Sequence, residues 1–233
     1  MPLAGDKRIR WILAAINYRF FGAEFSLGGF GHISMTRNGT SKSSLKFQPL
    51  TPKRWGDLES LFGERGAWGG CWCMWWRLSR AEFQKRKGQR NKAAFKQIVE
   101  DSELPGVLAY ADGQPVGWCA VAPREQYPLL ERSRTLARVD SKAVWSVTCL
   151  FVARPFRRAG VSVELLRAAA AHARSRGAAI VEGYPVEPRT DAMPDAFAWT
   201  GLFSAFRKAG FREVARRSAT RPIMRLELED DAA

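Results

Sequence analysis

The stretch that most constrains this chain runs from Val144 to Gly177. Val144–Val152, VWSVTCLFV, is dense in β-branched and aromatic residues, the composition of a strand. A turn, Ala153-Arg154-Pro155-Phe156, follows, and a helix is expected from about Ala159 to Arg176. Its apolar residues Val163, Leu166, Ala170 and Ala173 recur at spacings of 3, 4 and 3, one face of a 3.6-residue period, and Gly177 ends it. At such a helix start the first backbone N–H groups have no intrahelical partner, and the helix dipole adds partial positive charge. Gly160 lets an anion approach the backbone without a Cβ in the way, Ser162 offers a hydroxyl, and Arg157 and Arg158 add charge. Physically this is a cradle for a pyrophosphate. The pattern alone leaves the ligand open: the Gly-Lys-Ser/Thr ending of a nucleotide P-loop and the GxGxxG of dinucleotide folds are both absent.

The flanking elements place this unit in a larger domain. Leu45–Leu50 reads as a short strand, and Pro52 opens a helix through about Phe62. Ser79–Asp101 reads as one or two basic helices with a break at Gly88. Val107–Tyr110 and Val116–Val121 are strands joined through Asp112-Gly113, a hairpin signal. Residues 123–143 form an irregular charged connection with a short helix near Leu129. After the central unit come a strand at Ala179–Val186, a short helix at Gly201–Ala209, and strands at Phe211–Arg216 and Pro222–Leu228. The order predicts a mixed α/β (α+β) domain over residues 45–228, its six- to seven-stranded sheet mainly antiparallel and flanked by helices. Residues 1–44 read as a disordered or dispensable extension, and 229–233 as an acidic tail.

Charge narrows the class of partner. Lys and Arg number 37 against 23 Asp and Glu, a formal +14, which favours an anionic partner: nucleic acid, an acidic membrane face or a phosphate-rich cofactor. Residues 1–34 carry only Lys7, Arg8, Arg10 and Arg19 against Asp6 and Glu24, so the basic character belongs to the main domain. No apolar run approaches the ~20 residues needed to cross a bilayer. The four cysteines, 71, 73, 119 and 149, form no disulfide framework, and a reducing, cytoplasmic setting is expected. Cys71-Trp72-Cys73 lacks the second ligand pair of a closed zinc site, and the only histidines are His32 and His172, so no metal is expected.

Two segments together resemble the acyl-CoA N-acyltransferase (GNAT) superfamily. One is Leu150-Phe151-Val152 followed by Phe156-Arg157-Arg158-Ala159-Gly160-Val161-Ser162, against a family pattern of Arg/Gln-x-x-Gly-x-Gly/Ala after the strand. The other is Phe206-Arg207-Lys208-Ala209-Gly210-Phe211, against aromatic-x-Lys-x-Gly-Phe before a strand. Ser162 departs from the usual Gly or Ala. The resemblance covers roughly residues 45–228 and is sharpest over 144–211. It implies acetyl-CoA or a related acyl-CoA as donor, its pyrophosphate held by the amides of Arg158, Ala159, Gly160, Val161 and Ser162 with Arg157. Backbone groups of Leu150 and Val152 would run beside the pantetheine like an added strand. An amide near Leu150 or Phe151 would polarise the thioester carbonyl. An amine acceptor, small molecule or protein, would then attack directly in a ternary complex. A homodimer is a further expectation of the resemblance alone.

The acid–base positions depart from the family. Where it often has a Glu on the cradle strand, this chain has Ser146 and Thr148, which makes Glu182 on the next strand the substitute candidate base. Where the family often has an acidic Tyr in the last helix, this chain has Phe206, leaving Ser204 and Tyr184 as candidate acids. Trp68, Trp72, Trp75 and Trp76 place four of the nine tryptophans in nine residues, and Trp72 is the candidate wall of an acceptor pocket. Two other function classes stay open: a basic nucleic-acid or ribosome-binding module using the Arg77–Arg90 cluster, and an acyl-CoA-binding regulatory domain without turnover.

Overall fold

The computed structural model describes residues 44–101, 103–188, 194 and 197–228. The expected extension, apart from Ser44, and the expected acidic tail lie outside them. The described residues contain seven strands: β1 Lys46–Pro49, β2 Gly106–Ala111, β3 Gln114–Pro123, β4 Trp145–Val152, β5 Ile180–Gly183, β6 Arg212–Arg216 and β7 Pro222–Glu227. They form one sheet in the order β1-β2-β3-β4-β5-β7-β6. Every neighbouring pair is antiparallel except β4 and β5, which are parallel. This is the mixed, mainly antiparallel sheet that the order of elements predicts.

Helices cover both faces. They are α1 Trp55–Phe62, α2 Arg80–Arg86, α3 Gln89–Glu100, the single turn α4 Pro128–Glu131, α5 Val161–Ser175 and α6 Phe203–Lys208. Strand alternation decides which residues meet which layer. Val107 and Ala109 of β2 join Leu165, Leu166, Ala169 and Ala173 of α5 in one core cluster. Leu108, between them, joins Trp55, Leu58 and Phe62 of α1 with Phe95 of α3 in a second. A third, smaller cluster gathers Ala122, Tyr127, Leu130, Leu136, Tyr184 and Ile223. The break expected at Gly88 separates α2 from α3. Ser79 starts α2 with a capping box: its hydroxyl accepts from the Glu82 N–H and the Glu82 carboxylate accepts from the Ser79 N–H.

β5 is shorter than the sequence suggests, and the reason bears on the site. It pairs with β4 only at Trp145–Val181, Ser146–Glu182 and Val147–Gly183. The chain then leaves β4, and Val186 pairs instead with Leu202. Gly183, the last residue paired with β4, leaves room for Phe206, the aromatic that seats α6: a Cβ there would lie 2.1 Å from Phe206 Cε1. Gly183→Ala is therefore expected to cost about 1–3 kcal/mol through overpacking. Chemical denaturation checks this; an unchanged midpoint would mean that α6 shifts freely.

Candidate active site

The parting of β4 and β5 is built from a defect in β4 itself. Against β3, Cys149 faces Ala120 while Val147 faces Val121, so Thr148 is the extra residue of a β-bulge. Beyond it, the β4 edge turned away from β3 has no strand partner, and its polar groups find other ones. The Leu150 N–H donates to the Trp199 carbonyl at 2.7 Å. The Val152 carbonyl accepts from Arg157 Nε at 2.9 Å. Residues 197–201 are tied down by Val186 N–H to the Gly201 carbonyl (2.9 Å) and Phe203 N–H to the Val186 carbonyl (3.0 Å).

The cradle adjoins the same strand end. Arg158 (φ 62°) and Gly160 (φ 83°) both take left-handed conformations, which turn successive amides toward one concavity. No side chain caps α5, so the N–H groups of Val161 and Ser162 at its start lack intrahelical acceptors. A Cβ built on Gly160 would meet nothing within 4 Å, so the approach is open. Arg157, Arg158, Ala159 and Gly160 are exposed and Ser162 half-buried, while the Val161 side chain packs inward and leaves its amide at the helix start. Free amides, open space and basic charge fit a pyrophosphate. Arg157 needs a correction: its Nε is committed to the Val152 carbonyl, so it braces the strand end as well as adding charge.

The candidate acid–base residues fall into a sealed network. Glu182 is 1% exposed; its Oε1 accepts from Arg124 Nη1 (3.0 Å) and the Tyr184 hydroxyl (2.7 Å), and its Oε2 from Arg225 Nε (2.7 Å). A carboxylate 1% exposed with both oxygens accepting from buried donors is not presented to an acceptor amine, which corrects its candidacy as base. Tyr184 is fully buried, with its hydroxyl also bonded to Arg124 Nη1 (2.6 Å) and Ser146 Oγ (2.8 Å). Since its one proton goes to Glu182, Ser146 is the donor in that pair. Burial and the Glu182 charge hold the Tyr184 hydroxyl well above the usual phenol pKa, so it keeps its proton. Ser204 lies exposed on the first turn of α6 and forms no hydrogen bond to this network or to the β4 edge among the described residues.

The aromatic segment divides. Trp72 is 2% exposed, stacked with Trp55 at 6.0 Å between centroids and tilted against Phe62, so it is core and not a pocket wall. Trp75 and Trp76 instead meet Trp199, at 6.3 and 5.9 Å. Next in sequence, Arg77 lies 4.6 Å over the Tyr127 ring and donates to Gln126 Oε1 at 3.0 Å. The Tyr127 hydroxyl in turn lies close to Thr148, the bulge residue. The sequence singles out none of Tyr127, Trp199 and Arg124, and Arg77 only as part of the Arg77–Arg90 basic cluster. The one available signal is the pair of hydroxyls at Ser146 and Thr148, where the resemblance leads one to expect a Glu. Cys149 packs on the α1–α3 side while Leu150 packs on the α5 side, so the thiol faces away from Leu150.

Comparison with known proteins bears on this geometry. Residues 72–194, more than half of the chain, match the model of the Acetyltransferase (GNAT) family. No curated protein matches. Similar solved structures include a GNAT-family acetyltransferase from Desulfovibrio desulfuricans, 15% identical, TM-score 0.44, over 79% of this chain and 99% of that one. PaiA N-acetyltransferase from Thermoplasma acidophilum, solved in complex with coenzyme A, is 15% identical, TM-score 0.46, over 79% and 99%. A GNAT acetyltransferase from Streptococcus pneumoniae is 12% identical, TM-score 0.48, over 80% and 100%. With the family model covering the bulged strand, the cradle and all of α5, this chain belongs to the GNAT family of acetyltransferases.

Proposed function

We propose that the protein transfers an acetyl group from acetyl-CoA to an amine, by direct attack within a ternary complex. The observation that carries this reading is the coincidence of two features at one end of β4. The bulge at Thr148 opens the sheet edge, and the uncapped start of α5 presents its amides beside that opening. Acetyl-CoA supplies an activated thioester carbonyl. The chain supplies the rest: amides of residues 158–162 for the pyrophosphate, the Leu150–Val152 edge for the pantetheine, and the Leu150 N–H for the carbonyl oxygen. Among the described residues no carboxylate bonds to the open part of the β4 edge, so catalysis rests on positioning and on that amide. Residues 45–228 are proposed as the catalytic domain, with 1–44 and 229–233 dispensable for transfer.

The Leu150 amide has one proton, and Trp199 takes it. Productive binding therefore requires residues 197–201 to draw back, separating Trp199 from Trp75 and Trp76. Titrating acetyl-CoA while following tryptophan emission tests this. Emission should change on binding, and Trp199→Phe should remove most of the change while retaining affinity. Binding seen by calorimetry with unaltered emission would contradict it.

A further inference from the structure

Among the described residues, three arginines at or next to the Trp75–Trp76–Trp199 wall have no acidic partner: Arg77, Arg80 and Arg221. Arg77 touches Gln126 and, at 3.5 Å, the Tyr127 hydroxyl; its Nε is shielded from solvent and has no hydrogen-bond partner. Arg221, half-buried, donates to Thr200 Oγ1 at 2.8 Å and to the Tyr184 carbonyl at 3.4 Å. Arg80 lies 3.5 Å over the Trp75 ring. Nearby arginines behave differently: Arg124 and Arg225 share Glu182, Arg138 holds Glu125, and Arg216 holds Glu213. Arg77 is set apart from these by an Nε that is buried and unpartnered.

A guanidinium partly withdrawn from water and satisfied only by neutral groups is a costly arrangement unless an anion completes it. Burial depresses the Arg221 pKa, in keeping with a missing counter-charge. The planar fork of Arg matches a carboxylate, and Nε with a neighbouring Nη is one of its two-pronged faces. The aromatic wall suits an apolar body attached to that anion. We propose that the acceptor is a carboxylate-bearing amine with an apolar body, its carboxylate received by Arg77 and its body lying against Trp75 and Trp76, on the face that Trp199 covers before acetyl-CoA binds. The inference rests on the transfer reading above and names its substrate class. The anion site stands next to Tyr127, whose hydroxyl lies close to the bulge residue Thr148, two positions before the Leu150 amide.

The test compares matched pairs that differ only in the carboxylate: L-tryptophan with tryptamine, and L-phenylalanine with 2-phenylethylamine. Thiol release from acetyl-CoA is measured on the full chain. The carboxylated member should have kcat/KM about tenfold higher or more. Arg77→Gln should remove that preference through KM and leave acetyl-CoA affinity unchanged, with Arg77→Lys intermediate. Direct binding is read separately, by thermal shift with the same pairs in the absence of acetyl-CoA. Stabilisation by the carboxylated members that Arg77→Gln abolishes supports the site even if no transfer occurs. That combination would overturn the transfer reading and leave the carboxylate site standing. Equal responses within every pair, a preference for the bare amines, or no response from any member would overturn the carboxylate site. So would a stronger response to phosphoethanolamine than to β-alanine. Should Arg77→Gln unfold, Arg221→Gln serves as the second variant, with a loss of at least threefold in the same preference expected.

Discussion

Gly160→Asp is expected to abolish acetyl-CoA binding while leaving the fold in place. Gly160 sits at φ 83° with open space where a Cβ would go, so the new side chain meets no steric wall. The left-handed backbone costs a non-glycine residue roughly 1–2 kcal/mol, and the favourable field of a carboxylate at a helix start offsets part of that. The ligand meets the opposite situation. A carboxylate placed where the pyrophosphate belongs repels it and takes the N–H groups that would serve it. Loss of two charge-assisted hydrogen bonds, roughly 1.5–3 kcal/mol each, weakens binding by about 100-fold or more. Gly160→Asn separates the causes, since it adds similar bulk without charge and should lose less. Calorimetry on both variants, with melting curves to verify folding, makes the check; wild-type affinity in folded Gly160→Asp would remove the cradle assignment.

The largest expected effect on stability is at Arg124. Its side chain is fully buried, and all five of its N–H donors are used. Nε bonds Glu131 at 2.8 Å, and Nη1 bonds Glu182 at 3.0 Å and Tyr184 at 2.6 Å. Nη2 bonds the carbonyls of Leu130 at 3.3 Å and Leu136 at 2.7 Å. Arg124→Met leaves the buried Glu182 with Arg225 and Tyr184 alone and takes the arginine donor from the Leu136 carbonyl, while Leu130 keeps the Ser133 N–H. Breaking a buried pair in this way costs roughly 3–5 kcal/mol, a fall in Tm of roughly 6–20 °C for a domain of this size. Glu182→Gln in the Arg124→Met background should recover part of the loss, because the uncompensated charge is gone. Additive destabilisation in the double variant would show that the two residues do not act as a pair. Glu182→Gln by itself should lower Tm and leave the pH–rate profile unchanged, the reverse of what a general base requires.

The strand, basic turn and helix of residues 144–177 were legible because each leaves a local mark: β-branched density, glycine, and a 3.6-residue period. The hairpin at Asp112-Gly113 and the break at Gly88 were legible for the same reason. Side-chain destinations in irregular segments left no such mark. Arg124 lies in a charged connection that reads as surface, yet the turn after β3 folds it inward beneath Leu130 and Leu136. Trp72 and Trp76 are four residues apart in one aromatic run, but Trp72 takes a left-handed φ of 47° and enters the α1 core, while Trp76 meets Trp199. Arg77 reads as one more charge of a basic cluster, and only packing against Tyr127 assigns it to the site. Glu182 shows the limit most clearly. Its residue type suits a base, but the arginines that enclose it come from 58 positions before it and 43 after it.

Calorimetric titration of acetyl-CoA into the full-length protein, at low and at moderate salt with tripolyphosphate as the control anion, is the most direct measurement. A built cradle predicts one site per chain that prefers acetyl-CoA to tripolyphosphate and survives moderate salt, since backbone amides and a fitted strand edge are screened less than surface charge. Equal binding of the two anions, lost together as salt rises, would contradict a CoA site and leave net positive charge as the source of affinity.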